Sequence, residues 1–523
     1  KINQDSQNQV DSMLYLLIKR ENETYIKFTE TLKQEALNYI EVLPSEFDKI
    51  EIKDGEIGGY HSCQIIDICD SMKDFKDELL EEDKKFNKNL GEFIDIVKFL
   101  SKHVNKTNLL ITILGQYGQA VKEEQKVLNP FTACMYGFAK AINNEYNHIK
   151  FRCVDYDQET SLETILSEIK TEIQDFEVAY RMNERYVCEL NNSSISKKKT
   201  EFTIRENGVY LITGGMGGMG LEISRFLAQK EKVNLVLINR KPFPDEREWD
   251  NIVKYNKDLK TIEKIIKLRE LQKMGARIVT YAADISDYGH MSTIIQEIEA
   301  KIGKINGVVH AAGVAGNGFI ERKSKKEIDN VLLPKVRGTV VLDQALQDVT
   351  LDFFALCSSI SSIIPEAGQS DYCAANCFLD AFASYRSKLG RRVIAINWPA
   401  WSEVGMAVDY GVDFSKENFK PIGIKEANDV FDSLIASEKE SAIVGPIHYQ
   451  NYMKNKGYSF ISLSKEIVAK NAFGQTMNDN RVLLKSKQNI NLNDVKLVGD
   501  TTYTDEERLI ANIIGNDLGL KEV

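Results

Sequence analysis

Two hydrophobic patterns alternate along this 523-residue chain: short unbroken apolar runs bounded by turn residues, and longer stretches whose apolar positions recur every three to four residues. The first kind is how strands buried on both faces read, and the second is the apolar stripe of helices packed over them. An amphipathic segment around Phe93 to Leu100 precedes a predicted strand at Asn108 to Leu114, a helix at Phe131 to Tyr146 and a strand at Ile149 to Val154. The pattern restarts at Val209, with strands predicted at Val209 to Thr213, Asn234 to Ile238, Arg277 to Ala283, Ile305 to Val309, Leu351 to Ser359 and Val393 to Trp398. A helix begins at Tyr372, with Ala374, Ala375, Phe378, Leu379 and Phe382 as its apolar positions, and an edge strand follows at about Ser441 to Val444. Alternation of this kind predicts parallel sheets, so the expected fold class is α/β with two doubly wound units.

The length exceeds one ordinary core. Residues 1–50 are rich in lysine and glutamate and read as helix or linker without assignment; the first unit is expected over 51–205 and the second over 206–462. From about Leu463 the text turns polar, with KSKQNINLNDVK lacking a period, and reads as a linker over 463–500 before a last segment, 501–523. No stretch has the apolar length of a membrane span, and the N-terminus lacks a basic region followed by an apolar one and a cleavage site. Eight scattered cysteines read as reduced thiols, which adds to a cytoplasmic expectation with no membrane partner. A formal charge of −10 argues against a nucleic-acid partner. Cys373 and Cys377 are four apart, but no second pair completes a zinc site, so no metal is expected.

Glycines mark the start of the second unit. In VYLITGGMGGMGLEISRFLAQ, a strand ends at Thr213, and Gly214, Gly215, Gly217, Gly218 and Gly220 lead into an apolar-periodic helix. Glycines at such a turn let the backbone approach a pyrophosphate, and the helix N-terminus offers free N–H groups and partial positive charge. Asn239-Arg240 ends the next strand, where enzymes selective for NAD carry an acid for the ribose 2′-hydroxyl. Arg240 can pair instead with a 2′-phosphate, which makes NADPH the expected cofactor. The first unit has no such turn: after Leu114 the chain reads GQYGQAVKEEQ, so that unit is expected to be structural.

The stretch CSSISSIIPEAGQSDYCAANCFLDAF, from Cys357 to Phe382, sets Ser359 at a strand end and Tyr372 and Asn376 on the following helix. The carboxyl ends of the strands form the ligand side of an open α/β sheet. A single serine or tyrosine there is ordinarily packing. Together with the glycine turn, the stretch resembles the active site of the short-chain dehydrogenase/reductase family, in which a serine and a tyrosine thirteen positions later hold and protonate a carbonyl. The lysine usual four residues after the tyrosine is replaced by Asn376, and LLPKVRG supplies Lys335 earlier in the chain. That exchange resembles the ketoreductase domains of modular polyketide synthases, and the long charged insertion from Lys241 to Gly275 is similar to those of the bacterial trans-acyltransferase type.

The resemblance implies two Rossmann-like subdomains, the first truncated and structural, joined by a strand pair within Glu177 to Leu190, and the second catalytic and NADPH-binding. It implies that Ser359 holds the substrate carbonyl, Tyr372 donates the proton, Lys335 lowers the phenol's affinity for it and Asn376 orients the lysine and a water. Thr213 and the five glycines would cradle the cofactor, Asp284 would contact the adenine, Ala311, Ala312 and Gly313 would run past the ribose, and Pro399 would lie under the nicotinamide, ahead of a lid at Ser402 to Tyr410. The substrate would be a β-keto, or also α-keto, acyl chain tethered by phosphopantetheine to an acyl carrier protein, with other synthase domains as neighbours. TDEERLIANIIGNDLGL at the end is similar to the first helix of such a carrier.

Ala315, Gly316 and Asn317 stand where ketoreductases giving the D-hydroxyl commonly show Leu-Asp-Asp, and Ile364 stands where the opposite class shows tryptophan. The missing aspartates lean the expectation toward the L-hydroxyl product. Two alternatives remain: a free-standing short-chain dehydrogenase acting on a small ketone or alcohol, and a ketoreductase-like scaffold without catalysis. The structural unit and the carrier-like ending speak against the former, and intact Lys335, Ser359 and Tyr372 against the latter.

Overall fold

Unbroken apolar runs become the interiors of two seven-stranded sheets in the computed structural model. It describes residues 13–468 apart from 21, 36, 54–55, 58–59, 61, 70–78, 105–107, 126, 173–174, 194–202, 256–257 and 455–460. The first sheet is built from β1 (Leu14–Ile18), β2 (Tyr39–Val42), β3 (Ser62–Ile68), β4 (Asn108–Gln116), β5 (Ile149–Tyr156), β6 (Glu177–Arg181) and β7 (Glu184–Val187) in the order β2-β1-β3-β4-β5-β6-β7. All neighbours are parallel except the β6–β7 hairpin, whose tip residues Met182 and Asn183 both take positive φ, the turn geometry that matches strand twist. Helices α1 (Glu23–Gln34), α2 (Leu79–His103), α3 (Pro130–Ile142) and α4 (Leu162–Lys170) connect its strands.

Residues 14–49 were left as helix or linker by the sequence pattern; they are the edge of this sheet, with β1 buried along its whole length. The abundance of lysine and glutamate there is carried by α1 and its connections, which masked a five-residue strand.

The second sheet comprises β8 (Val209–Thr213), β9 (Asn234–Asn239), β10 (Arg277–Ala282), β11 (Ile305–His310), β12 (Phe353–Ser359), β13 (Val393–Trp398) and β14 (Ser441–Ile443), all parallel, in the order β10-β9-β8-β11-β12-β13-β14. Its helices are α5 (Gly218–Lys230), α6 (Trp249–Tyr255), α7 (Leu259–Lys273), α8 (Tyr288–Lys301), α9 (Lys325–Lys335), α10 (Arg337–Ala345), α11 (Ser370–Lys388), the short α12 (Met406–Asp409) and α13 (Ile424–Ile435). Strand order reverses between β8 and β11, and a crevice opens beyond the carboxyl ends of the strands at such a point. The charged insertion is α6 and α7, held to the sheet by buried Trp249, Ile265, Leu268 and Leu271.

Both sheets lie in one compact unit, residues 1–188 with 194–462. A second unit holds 189–193 and 463–523; within it Ser464 N–H donates to the Leu190 carbonyl at 3.0 Å, so the expected linker begins with paired residues. The rest of that linker from 469, and the carrier-like segment 501–523, lie outside the described residues. Among the described residues no helix is long and apolar enough to cross a membrane.

One apolar core runs from the first sheet to the second through α3 and α11, where Phe131 meets Phe378 with ring centroids 5.2 Å apart. Every residue of α3 is buried. The helix starts where Asn129 Oδ1 accepts the N–H groups of Phe131 and Thr132 and Pro130 occupies the first turn. Gly137 permits the contact: a Cβ there would stand 2.6 Å from Ala374 Cα and 2.9 Å from Cys377 Sγ.

Gly137→Ala should therefore destabilise the protein by about 1–3 kcal/mol through overpacking, although alanine is the better helix former. A urea midpoint equal to or above that of the wild type would show that the two helices can part without loss.

Candidate active site

The second sheet brings the sequence-predicted residues to one edge. Ser359 ends β12, Tyr372 and Asn376 lie in the first turns of α11, and Lys335 ends α9. Lys335 is buried, and its Nζ donates to the Cys357 carbonyl at 2.8 Å and to Asn376 Oδ1 at 2.7 Å while standing 5.3 Å from the centroid of the Tyr372 ring. Asn376 is spent in both directions, since its Nδ2 donates to the Tyr372 carbonyl at 2.8 Å and to Ser361 Oγ at 3.2 Å. Ser359 Oγ accepts the Ser361 N–H at 3.2 Å, which turns the chain back toward α11.

Electrostatics follow from burial. Desolvation brings the Lys335 ammonium down to about 8, partly opposed by Cys357 and Asp380. Desolvation raises the Tyr372 phenol, opposed by hydrogen bonds with Ser359 and Asn376. Burial thus favours the neutral phenol in this state, with Ser359 and Asn376 opposing it.

Sequence reasoning overlooked the layer behind these groups. Asp380 Oδ2 accepts from Ser362 Oγ at 2.6 Å and from Asn397 Nδ2 at 2.7 Å, and Asn397 also reaches Ser362 Oγ at 2.8 Å. Asp380 follows Asn376 by one helical turn, so the 372, 376, 380 spacing carried the signal. His310 was also missed. Its Nε2 faces the Pro334 carbonyl at 3.0 Å, which can only accept, so that nitrogen carries the proton and Nδ1 accepts from the Thr213 hydroxyl at 2.6 Å. Desolvation first, and then Lys335, lower this imidazole to about 3.

The glycine turn has the shape of a cradle. Gly214 has φ +64°, and a Cβ on it would lie 2.8 Å from the Ala311 carbonyl oxygen; one on Gly220 would lie 2.5 Å from the Gly214 oxygen. Gly217 caps α5 with no side-chain hydrogen bond, which leaves its first N–H groups to an outside acceptor. Thr213, Gly215 and Gly218 complete the turn, while Ala311, Ala312 and Gly313 continue from β11, with Gly313 against the Lys335 stem. Arg240 and Asp284 are exposed beyond the neighbouring strands β9 and β10. The Asp284 carboxylate is held low by Ser286 first, with Arg240 contributing. The close-packed glycines and the uncapped α5 N-terminus therefore fit a dinucleotide's pyrophosphate.

A groove opens from Ser359 and Tyr372. Ala315, Ile364, Glu366 and Gln369 line it, together with Trp398, Pro399 and Trp401 and the lid residues Val404, Met406 and Tyr410. Glu417, in the same groove, is pushed up to about 7 by burial, Glu366 and Asp413.

Comparison with known proteins bears on the fold and on the second sheet's segment of the chain. Residues 208–403 match the family model described as "KR domain". The chain is 29% identical over 355 residues, 66% of its length, to "Polyketide synthase PksN" of Bacillus subtilis (strain 168), and covers 6% of that protein. The chain spans less than a fifth of the length of the first curated relatives it matches. Among solved structures, an N-terminal ketoreductase from the macrolactin assembly line superposes with a TM-score of 0.66 at 24% identity, over 86% of this chain and 89% of that one. A ketoreductase domain from the bacillaene assembly line gives 0.63 at 23% identity, over 87% and 97%. At those identities the two structures speak for the fold.

The buried histidine makes the site sensitive to acid. The unfolded imidazole takes a proton near its ordinary 6.5, whereas in the fold it stays neutral to about 3, so in that window the unfolded chain binds more protons. Stability conferred by neutral His310 is present above pH 6.5 and lost as pH falls toward 3. His310→Gln should flatten the fall of the urea midpoint over that window, and an unchanged slope would assign the acid sensitivity elsewhere.

Proposed function

We propose that this chain, whose residues 208–403 match the KR domain family model, reduces the keto group of an acyl thioester, carried on the phosphopantetheine arm of an acyl carrier protein in a modular polyketide synthase, with NADPH as reductant. The observation that carries the reading is the joining of buried Lys335 and Asn376 behind Ser359 and Tyr372, which line one groove, together with a turn of close-packed glycines at the start of α5.

The glycine turn would hold the cofactor's pyrophosphate, Asp284 its adenine, Ala311 to Gly313 its ribose and Pro399 its nicotinamide, and the cofactor so held would supply the hydride. Ser359 and Tyr372 hold the carbonyl oxygen, and their hydrogen bonds strengthen as charge grows on it. Tyr372 gives up its phenolic proton to that oxygen, leaving a hydroxyl on the product and a phenolate on the enzyme. Lys335 lies against the ring and, with a pKa of about 8, is mostly charged at neutral pH, so it stabilises that phenolate. Asn376 keeps the ammonium in place through its Oδ1. Arg240 selects the phosphorylated cofactor by pairing with the 2′-phosphate. Carrier protein, neighbouring domains and a cytoplasmic setting belong to this same reading.

Incubation with NADPH and a panel of α- and β-ketoacyl thioesters tests it directly, with NADPH loss as the readout; failure to oxidise NADPH with any of them would refute it. Tyr372→Phe should lower turnover by at least roughly 10², as loss of a general acid does, with NADPH binding nearly unchanged. Near-normal turnover in that variant would remove Tyr372 from the proton-donor role. Arg240→Ala should weaken NADPH binding by roughly 1.5–3 kcal/mol, the range for a hydrogen bond to a charged group, and leave NADH binding far less affected. Equal losses for the two cofactors would make Arg240 a structural residue.

A further inference from the structure

Two of the walls of the groove beside Tyr372 hang from one turn of the other subdomain, while residues between 398 and 418 supply the rest of its lining. One begins at Ala315, which lines the groove and from which the chain runs on to Ile320; the other is Ile364 to Gln369, with Ile364, Glu366 and Gln369 in the lining, and leads into α11. Glu145 lies just beyond α3 and is only partly exposed. Its Oε2 accepts the Ile320 N–H at 2.7 Å, and its Oε1 accepts the Gly368 N–H at 3.1 Å. One carboxylate therefore ties the two walls to each other and to the structural subdomain. The residues around it make the same connection: Asn144 Nδ2 donates to the Pro365 carbonyl at 2.9 Å, and Lys140 Nζ donates to the Ser362 carbonyl at 3.1 Å.

The walls also press on each other directly. A Cβ on Gly316 would stand 2.0 Å from Asp371 Oδ1, the atom that accepts from Lys323 Nζ at 2.6 Å and from the Tyr372 N–H at 2.9 Å. Lys323 and Asp371 are both buried, and the loop that carries Lys323 is the one that Glu145 fastens. Burial raises the Glu145 carboxyl, opposed by its two backbone donors and by Lys323, as befits an acid held away from water for the bonds it makes.

We propose that Glu145 is a positioning residue for the substrate: by fastening the 315–320 and 364–369 segments together, it fixes the width of the groove beside Tyr372 and so the face of the ketone that receives hydride. The inference rests on the ketoreductase reading of the site and deepens it. Ser359 and Tyr372 see only the carbonyl oxygen, which is the same in two poses related by a half-turn about the C=O axis. The poses differ in which wall the acyl chain lies along. Wall spacing therefore decides between the product enantiomers, and Glu145 sets that spacing without touching substrate or cofactor.

Three proteins test this: wild type, Glu145→Ala and Glu145→Gln. Hydrogen exchange at the amides of Ile320 and Gly368 reads the fastening, chiral chromatography of the alcohol from a β-ketoacyl thioester reads the pose, and NADPH binding reports whether the cofactor half stays folded. In Glu145→Ala both amides should exchange roughly tenfold faster or more, as follows from loss of hydrogen bonds to a charged group. The wild type should give mainly the L-hydroxyl, the minor enantiomer should rise by a similar factor in the variant, and NADPH affinity should stay within about twofold. Glu145→Gln keeps one acceptor oxygen and should fall between. Faster exchange at only one amide, or at neither, overturns the fastening; faster exchange at both with an unchanged enantiomer ratio overturns its link to the hydride face. If the wild type reduces no ketoacyl thioester, the functional reading fails, and the exchange measurement still decides whether Glu145 holds both walls.

Discussion

A single buried ammonium constrains more of this site than any other group. Lys335 is 4% exposed, and an unpartnered charge at that depth costs several kcal/mol. Its Nζ is satisfied by the Cys357 carbonyl and Asn376 Oδ1, so strand β12 must end where it does and Asn376 must face inward, one turn after Tyr372. The lysine stem runs where a side chain on position 313 would be, 2.8 Å from an added Cβ, which leaves only glycine there. The same charge helps keep His310 neutral, and that fixes which nitrogen binds the Pro334 carbonyl and which accepts from Thr213. The ends of β8, β11 and β12 are thus tied to one another through a cation that water does not reach.

The first sheet and its helices meet the second through α11. That helix is buried among the second sheet's elements on one side and against α3 on the other; Cys373, Ala374, Ala375, Phe378, Leu379 and Phe382 are all covered. A helix so apolar around its circumference needs cover on both faces. Helix α3 supplies the second cover, and its end holds the loops bordering Tyr372. The first sheet accordingly carries no glycine cradle after β4. In the first sheet, Arg20 and Asp67 pair at 2.9 Å and are both buried.

Much of this was legible from the chain because local rules and tertiary demands agreed. Val209–Thr213 and Val393–Trp398 have the limits that the apolar runs gave, and the Ser359, Tyr372 and Asn376 offsets placed three side chains at one strand end before any coordinates. Residues 14–49 were illegible because a five-residue strand offers too few positions to stand out from the charged helix beside it. The direction in which burial moves Lys335 and Tyr372 was illegible for a different reason: their proximity could be inferred, but desolvation depends on what else packs there. Glu145 was beyond reach altogether. It lies more than 170 positions from Ile320 and 220 from Gly368, and nothing local distinguishes it from the other glutamates of that region.

The division of labour within the groove limits what the reacting residues can discriminate. On the proposed reading, Ser359 and Tyr372 would address a carbonyl oxygen common to every ketoacyl chain, so neither could tell one chain from another. Selection falls to the walls, where Ile364, Trp398, Trp401, Val404 and Met406 offer apolar contact. An apolar wall separates chains differing by one methylene by only about 1–3 kcal/mol. Glu366, Gln369 and Glu417 are the groups in the same groove that could reject or retain a chain by its polar substituents, since a mismatched hydrogen bond there is penalised more steeply than a missing methylene.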